Sequence, residues 1–162
     1  MKIATAGEEP SFEKDLREKL IGETLNELRS GRMESYAFEN LIRDVLINLG
    51  AIESTVVARR KDQGADILAT FSVAGIFQKK VAIQAKHWQA KPPVGEKVVS
   101  QLISGLEAEN ADLGLVITSG TVSEGARRKA DLYQVETGIA IELIDGEEFA
   151  KLVIENYGTR RS

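Results

Sequence analysis

The sequence predicts an α/β fold: a mixed β-sheet flanked by helices, built on an α-β-β-β-α-β core. Three observations predict it. An amphipathic helix ending at Gly50 is followed by three strand-like runs with short connections, the pattern of an antiparallel meander. Leu113–Thr118 and Ile139–Ile144 are short, nearly continuous apolar runs, as expected of buried central strands. A helix-periodic segment precedes each of them, and a helical crossover is what joins parallel strands.

The elements follow in order. Residues 1–9 carry no pattern and are expected to fray. Ser11 is a candidate N-cap, and Leu16, Leu20, Leu25 and Leu28 give Glu13 to Leu28 helical spacing before Ser30-Gly31 breaks it. This acidic helix reads as an N-terminal extension over residues 1–31, separable from a domain over 32–162. Its leucine stripe predicts a dimer contact or packing on its own domain. From Met33 onward, Phe38, Leu41, Ile42, Val45, Leu46 and Leu49 recur at helical spacing, and Gly50 stops the helix. Ala51 to Arg60 reads as a strand, Asp62-Gln63-Gly64 as a turn, Ala65 to Val73 as a second strand and Lys79 to Trp88 as a third. Gly95 to Glu109 carries a helical stripe at Val98, Leu102 and Leu106. Ser123 caps a helix running to Glu136, and Gly146 to Asn156 is the closing helix.

Composition narrows the chemistry. The 162 residues suit one compact domain, and 43% hydrophobic residues suffice for a core. No apolar run is long enough to span a bilayer, and the N-terminus has no signal-peptide pattern. Cysteine is absent, which excludes disulfides and thiolate metal sites and fits a cytoplasmic location. His87 is the single histidine, so any metal must be held by oxygen ligands, favouring Mg²⁺, Mn²⁺ or Ca²⁺. The net charge of -4 argues against a nucleic-acid partner, but its distribution does not. Residues 55–100 hold eight Lys and Arg against three Asp and Glu, a local +5 that leaves -9 for the rest.

That basic segment also carries a reactive pattern. Asp66 opens the second strand in Gly64-Ala65-Asp66-Ile67, and Gln84-Ala85-Lys86 lies near the end of the third. Side chains alternate along a strand, so Gln84 and Lys86 share a face, about 7 Å apart, and His87 faces away. A meander brings Asp66 beside them. Glu39, in the same helix row as Ile42 and Leu46, sits at the edge of the buried stripe and reaches in from the preceding helix. Asp66 would be the principal carboxylate ligand of a hard cation. Gln84 and the backbone carbonyl of Ala85 would add neutral oxygens, and Glu39 would bind a second position or orient water. Lys86 would act on the attacking water or neutralise the phosphate transition state. The arrangement is that of a metal-dependent phosphodiesterase. Its alternative is an ordinary turn aspartate, a polar-face glutamine and a lysine at a strand end.

From Met33 to Leu152 the chain resembles the Mrr-type restriction endonuclease domain of the PD-(D/E)xK nuclease superfamily. The resemblance rests on Phe38-Glu39-Asn40-Leu41-Ile42, Gln63-Gly64-Ala65-Asp66-Ile67 and Ile83-Gln84-Ala85-Lys86. It continues through Gly114-Leu115-Val116-Ile117-Thr118-Ser119-Gly120, Ser123-Glu124-Gly125-Ala126 and Ile144-Asp145-Gly146. It implies a restriction-endonuclease-like fold and Mg²⁺-dependent DNA cleavage, with Mn²⁺ as a substitute, often directed at modified DNA. It places Asp66, Gln84 and Lys86 on the catalytic triplet and Glu39 on the acid of the first helix. Gln84 stands where many members carry an acid, one negative charge fewer at the metal. The residues before Met33 form at most a helix, so a DNA-recognition domain would be a separate domain or subunit.

Arg59, Arg60, Lys61, Lys91, Gln101 and Trp88 are the candidate DNA contacts, the first four through phosphates and Trp88 by stacking or wedging. Packing at a strand end is the ordinary role for Trp88. Gly120-Thr121-Val122-Ser123 precedes a helix and reads as a cap before it reads as an anion site. Arg127-Arg128-Lys129 reads as a solvated face. The leading function is a DNA endonuclease, acting as a homodimer if both strands are cut. The alternatives are a binding or assembly domain of nuclease fold with weak or no cleavage, and a resolvase or repair nuclease on branched DNA. No membrane partner is expected.

Overall fold

A computed structural model describes residues 11–57, 65–87 and 93–157 of the chain. The elements run α1 (Ser11–Leu28), α2 (Ser35–Asn48), β1 (Ala51–Val56), β2 (Ile67–Val73), β3 (Phe77–Lys86), α3 (Glu96–Glu109), β4 (Leu113–Thr118), α4 (Glu124–Thr137), β5 (Ile141–Ile144) and α5 (Gly146–Tyr157). The strands form one sheet in sequence order, β1-β2-β3-β4-β5. β1, β2 and β3 pair antiparallel, while β3-β4 and β4-β5 are parallel. The sheet is therefore the mixed one expected, with α3 and α4 as crossovers.

Alternation along the strands builds two cores. Ile67, Ala69, Val81, Ile83, Ala85 and Ile117 bury one face under α2 and α5. Ala82, Val116, Ile141 and Leu143 bury the other under α3 and α4. Gly114 lets α3 press close, because a Cβ there would lie 3.0 Å from Leu102 and 3.1 Å from Leu106. The α2 stripe reads as expected, with Phe38, Ile42, Val45 and Leu46 all buried.

Several boundaries differ from expectation, three of them in the meander. β3 begins at Phe77 because the β2–β3 hairpin turns tightly, with Ala74 at φ 56° and Gly75 at φ 68°. Asp66 lies just before β2 rather than inside it, since pairing with β3 stops at Ile67↔Ile83. β1 ends at Val56, with Val57 already outside the strand, and the remaining 58–60 of its expected span lie outside the described residues.

The N-terminal helix packs along α5. Leu28 is fully buried in the first core, with Ile21 and Leu25 partly buried against it. Leu16 and Leu20 remain exposed, with Phe12, so the stripe divides between its own domain and solvent. Beyond the helix, Arg29 Nε donates to the Ser119 carbonyl at 2.7 Å. Among the described residues no helix is long and apolar enough to cross a membrane.

Gly146 opens α5 beside this junction, its N–H donating to Gly120 O at 2.9 Å. A methyl at Gly146 would overlap the Ser119 carbonyl oxygen and meet Arg29 Nη2 at 3.0 Å. Because the first obstacle is backbone, Gly146→Ala is expected to cost about 1–3 kcal/mol. Urea unfolding checks this. An unchanged midpoint at unchanged m-value would show that the junction yields freely.

Candidate active site

At the end of the sheet where β3 finishes, an open cavity of about 190 Å³ is lined by Ser35, Phe38, Glu39, Asp66, Ala85, Lys86 and His87. Three elements build it. The first turns of α2 supply Ser35, Phe38 and Glu39; the bend before β2 supplies Asp66; the end of β3 supplies Ala85 and Lys86. Glu39 is buried, 5% exposed, as its helix row predicts. Asp66 Oδ2 accepts the backbone N–H of Ala85 at 2.9 Å. Ala85 lies two residues beyond the last β2–β3 pair, so the carboxylate takes over where the ladder ends. The Asp66 N–H donates to Ile83 O at 2.8 Å, which ties its backbone to β3 as well.

Of the four residues expected to act together, the cavity gathers Asp66, Glu39 and Lys86. Gln84 does not line it. By strand alternation Gln84 shares the Ala82 face, beneath α3, and it is only 5% exposed. Its Oε1 is buried and has no hydrogen-bond partner among the described residues, a costly state for an amide oxygen. Gln101 Oε1, on α3, is buried and unpartnered too, and Gln101 also lies outside the cavity lining.

His87 departs from the parity argument. It lines the same cavity as Lys86, because β3 stops at Lys86 and period-2 alternation no longer applies. Its ring stacks on Phe38 with centroids 5.1 Å apart and planes at 27°. Sequence reasoning left this residue out of the site, and no local pattern pointed to it.

The oxygen donors that line the cavity suit a hard divalent cation: two carboxylates from different elements, with the backbone of Ala85 beside them. Among the described residues no three His, Cys, Asp or Glu side chains are arranged to hold a metal ion together, so a cation here would draw on neutral oxygens as well.

Several expected DNA contacts, Arg59, Arg60, Lys61, Trp88 and Lys91, lie outside the described residues. The basic residues that are described do not all gather at the site. Lys79 and Lys80 sit six or more residues before Lys86, roughly 20 Å away along the strand. Lys80 Nζ is engaged there with the Glu109 carbonyl at 3.1 Å. Lys97 is exposed on the first turn of α3. Ser123 is the helix cap expected, its Oγ accepting from Ala126 N at 3.1 Å. Arg127 and Arg128 are exposed on α4, as a solvated face should be.

The fold has solved counterparts. The DNA modification-dependent restriction endonuclease AspBHI aligns over 100% of this chain and 41% of its own, at TM-score 0.63 and 18% identity. MspJI restriction endonuclease, solved in complex with a 27-mer oligonucleotide, aligns over 98% and 38%, at TM-score 0.58 and 21% identity. The chain thus spans about two fifths of the length of each. No curated protein matches it. Residues 30–153 match the family model Mrr_cat, restriction endonuclease, which takes in α2, the whole sheet and most of α5, and the chain belongs to that restriction endonuclease family.

Proposed function

We propose that this domain hydrolyses phosphodiester bonds in DNA with the aid of a divalent cation, in the PD-(D/E)xK manner. The observation that carries the reading is the Asp66 carboxylate, hydrogen-bonded to the Ala85 amide beside Lys86 in one open cavity that also holds Glu39. Asp66, Glu39 and the Ala85 carbonyl would hold Mg²⁺, with Mn²⁺ as a substitute, and Gln84 Oε1 would join them only by turning out from beneath α3. When bound, the cation supplies Lewis-acid neutralisation at the scissile phosphate. Lys86 hydrogen-bonds the attacking water or a phosphate oxygen as negative charge develops there. Gln84 would then contribute an oxygen without a charge, and its Oε1 has no hydrogen-bond partner among the described residues to give up.

The two structural neighbours described above are restriction endonucleases, AspBHI is named as modification-dependent, and MspJI was solved with an oligonucleotide. We extend this to modified DNA as substrate, with recognition supplied by a separate domain or subunit. Cutting both strands needs two sites, and the exposed row Phe12, Leu16 and Leu20 on α1 is where a second copy would pack.

The test is cleavage of methylated and unmethylated duplexes with Mg²⁺ or Mn²⁺. Metal-dependent nicking or cutting supports the reading. A second reading, a DNA-binding or assembly domain without cleavage, is favoured by Gln84 standing in place of an acid. Salt-sensitive DNA binding without cleavage of any duplex would select it.

The remaining basic residues set the salt response. Lys86 and Lys97, with Arg59, Arg60, Lys61 and Lys91, are candidates for phosphate contact once Lys79 and Lys80 are set apart. Each neutralised phosphate adds about -0.9 to the log-log slope, so a slope of roughly -3 to -6 is expected. Affinity measured by fluorescence anisotropy from low to moderate salt checks it. A flat response would remove the basic segment as a binding surface.

A further inference from the structure

Lys86 is the last residue of β3 and is paired with Thr118, and among the described residues no ladder pair follows it. A closed circuit of contacts holds the strand end in place. The Lys86 carbonyl accepts the Ser119 N–H at 3.3 Å, and the Ser119 carbonyl accepts Arg29 Nε at 2.7 Å. Arg29 follows Leu28, whose carbonyl lies 2.8 Å from His87 Nε2, and His87 follows Lys86. A carbonyl can only accept, so Nε2 is the donor in that contact and carries the proton. The His87 ring is held from the side by Phe38, itself fully buried and set edge-on to Phe149 at 5.5 Å.

We propose that His87 is a positioning residue for Lys86, and that the end of α1 is thereby part of the catalytic frame. The proposal rests on the reading of Lys86 given above. His87 Nε2 is committed to the Leu28 carbonyl, so the ring's role is to fix the backbone on the C-terminal side of Lys86. Ser119 fixes the Lys86 carbonyl itself. Together they leave the lysine side chain a single base from which to reach the cavity. Leu28 and Arg29 lie some sixty and ninety residues from their partners, so nothing local replaces them.

Three variants of the full chain test this. His87→Phe keeps an aromatic ring against Phe38 and removes the donor. His87→Gln keeps an amide nitrogen close to the Nε2 position. Lys86→Ala controls for the reading on which the proposal rests. For His87→Phe, kcat is expected to fall about tenfold or more, as small displacements of a catalytic group do. Its KM for DNA should stay within about twofold, and His87→Gln should restore most of kcat. If His87→Phe does not fold, His87→Met serves as the donor-less variant with the same expected split, and a folded His87→Gln that loses kcat tenfold overturns the proposal on its own.

Unchanged kcat per folded molecule with a lowered melting temperature would make His87 merely structural and overturn the proposal. A raised KM with unchanged kcat would make it a DNA contact and overturn it too. If Lys86→Ala is inactive while the donor-less variant is fully active, only the positioning role falls. If Lys86→Ala cleaves like the wild type, the reading of Lys86 has failed, and the role of His87 falls with it.

Discussion

Asp66→Ala is expected to abolish divalent-cation binding at the site, and cleavage with it. Asp66 and Glu39 are the carboxylates that line the cavity, and they come from different elements. Removing one leaves a single charge to hold a doubly charged ion that gives up its water reluctantly. The substitution has a structural cost as well, because the Ala85 N–H loses its acceptor. An unpaired buried amide costs about 1–3 kcal/mol, which leaves a domain of ordinary stability folded. Asp66→Asn separates the two effects, since its side-chain oxygen can still accept from Ala85 while its charge is gone. Both variants should be inactive, and calorimetry should register no Mg²⁺ or Mn²⁺ binding for either. Nicking at the wild-type rate by folded Asp66→Ala would sink the assignment of this residue.

Lys86→Ala is expected to lower kcat by about 10²–10³-fold, the cost of removing one preorganised donor from a developing negative charge. DNA affinity should change little, because the lysine's work falls on the transition state more than on the bound ground state. Lys86→Arg keeps the charge but replaces a compact ammonium with a wider planar fork, so it should recover only part of the rate. Single-turnover cleavage with binding measured separately distinguishes the two effects. Equal losses of affinity and rate would make Lys86 a phosphate-binding residue.

Much of this was legible in the residues themselves. The α2 stripe, the antiparallel meander, the two parallel strands after helical segments and the cap at Ser123 all express local periodicity or local hydrogen bonding. Asp66, Glu39 and Lys86 could be brought to one site because the helix, the turn and the strand that carry them are neighbours in the chain. Other features had no local signature. Alternation grouped Gln84 with Lys86, yet the cavity includes only Lys86, because parity names a face and not what covers it. Net charge over a segment could not show that Lys79 and Lys80 lie at the opposite end of β3 from the site. The contact of His87 with Leu28 and that of Arg29 with Ser119 depend on how α1 docks, and no spacing in the sequence announces docking across such separations.

The hydrogen bond from Ala85 to Asp66 spans only 19 residues, and the one from Arg29 to Ser119 spans 90. Chain closure is cheaper for the shorter loop, and contacts between nearby segments form first in folding. The acid and the lysine are therefore expected to meet as the β2–β3 hairpin closes, before the N-terminal helix arrives. A chain emerging from the ribosome would hold its reacting groups side by side early. It would lack the brace on the end of β3 until α5 had been made and α1 had settled against it. Competence to cut would thus come late in biogenesis, after the reacting groups are already assembled.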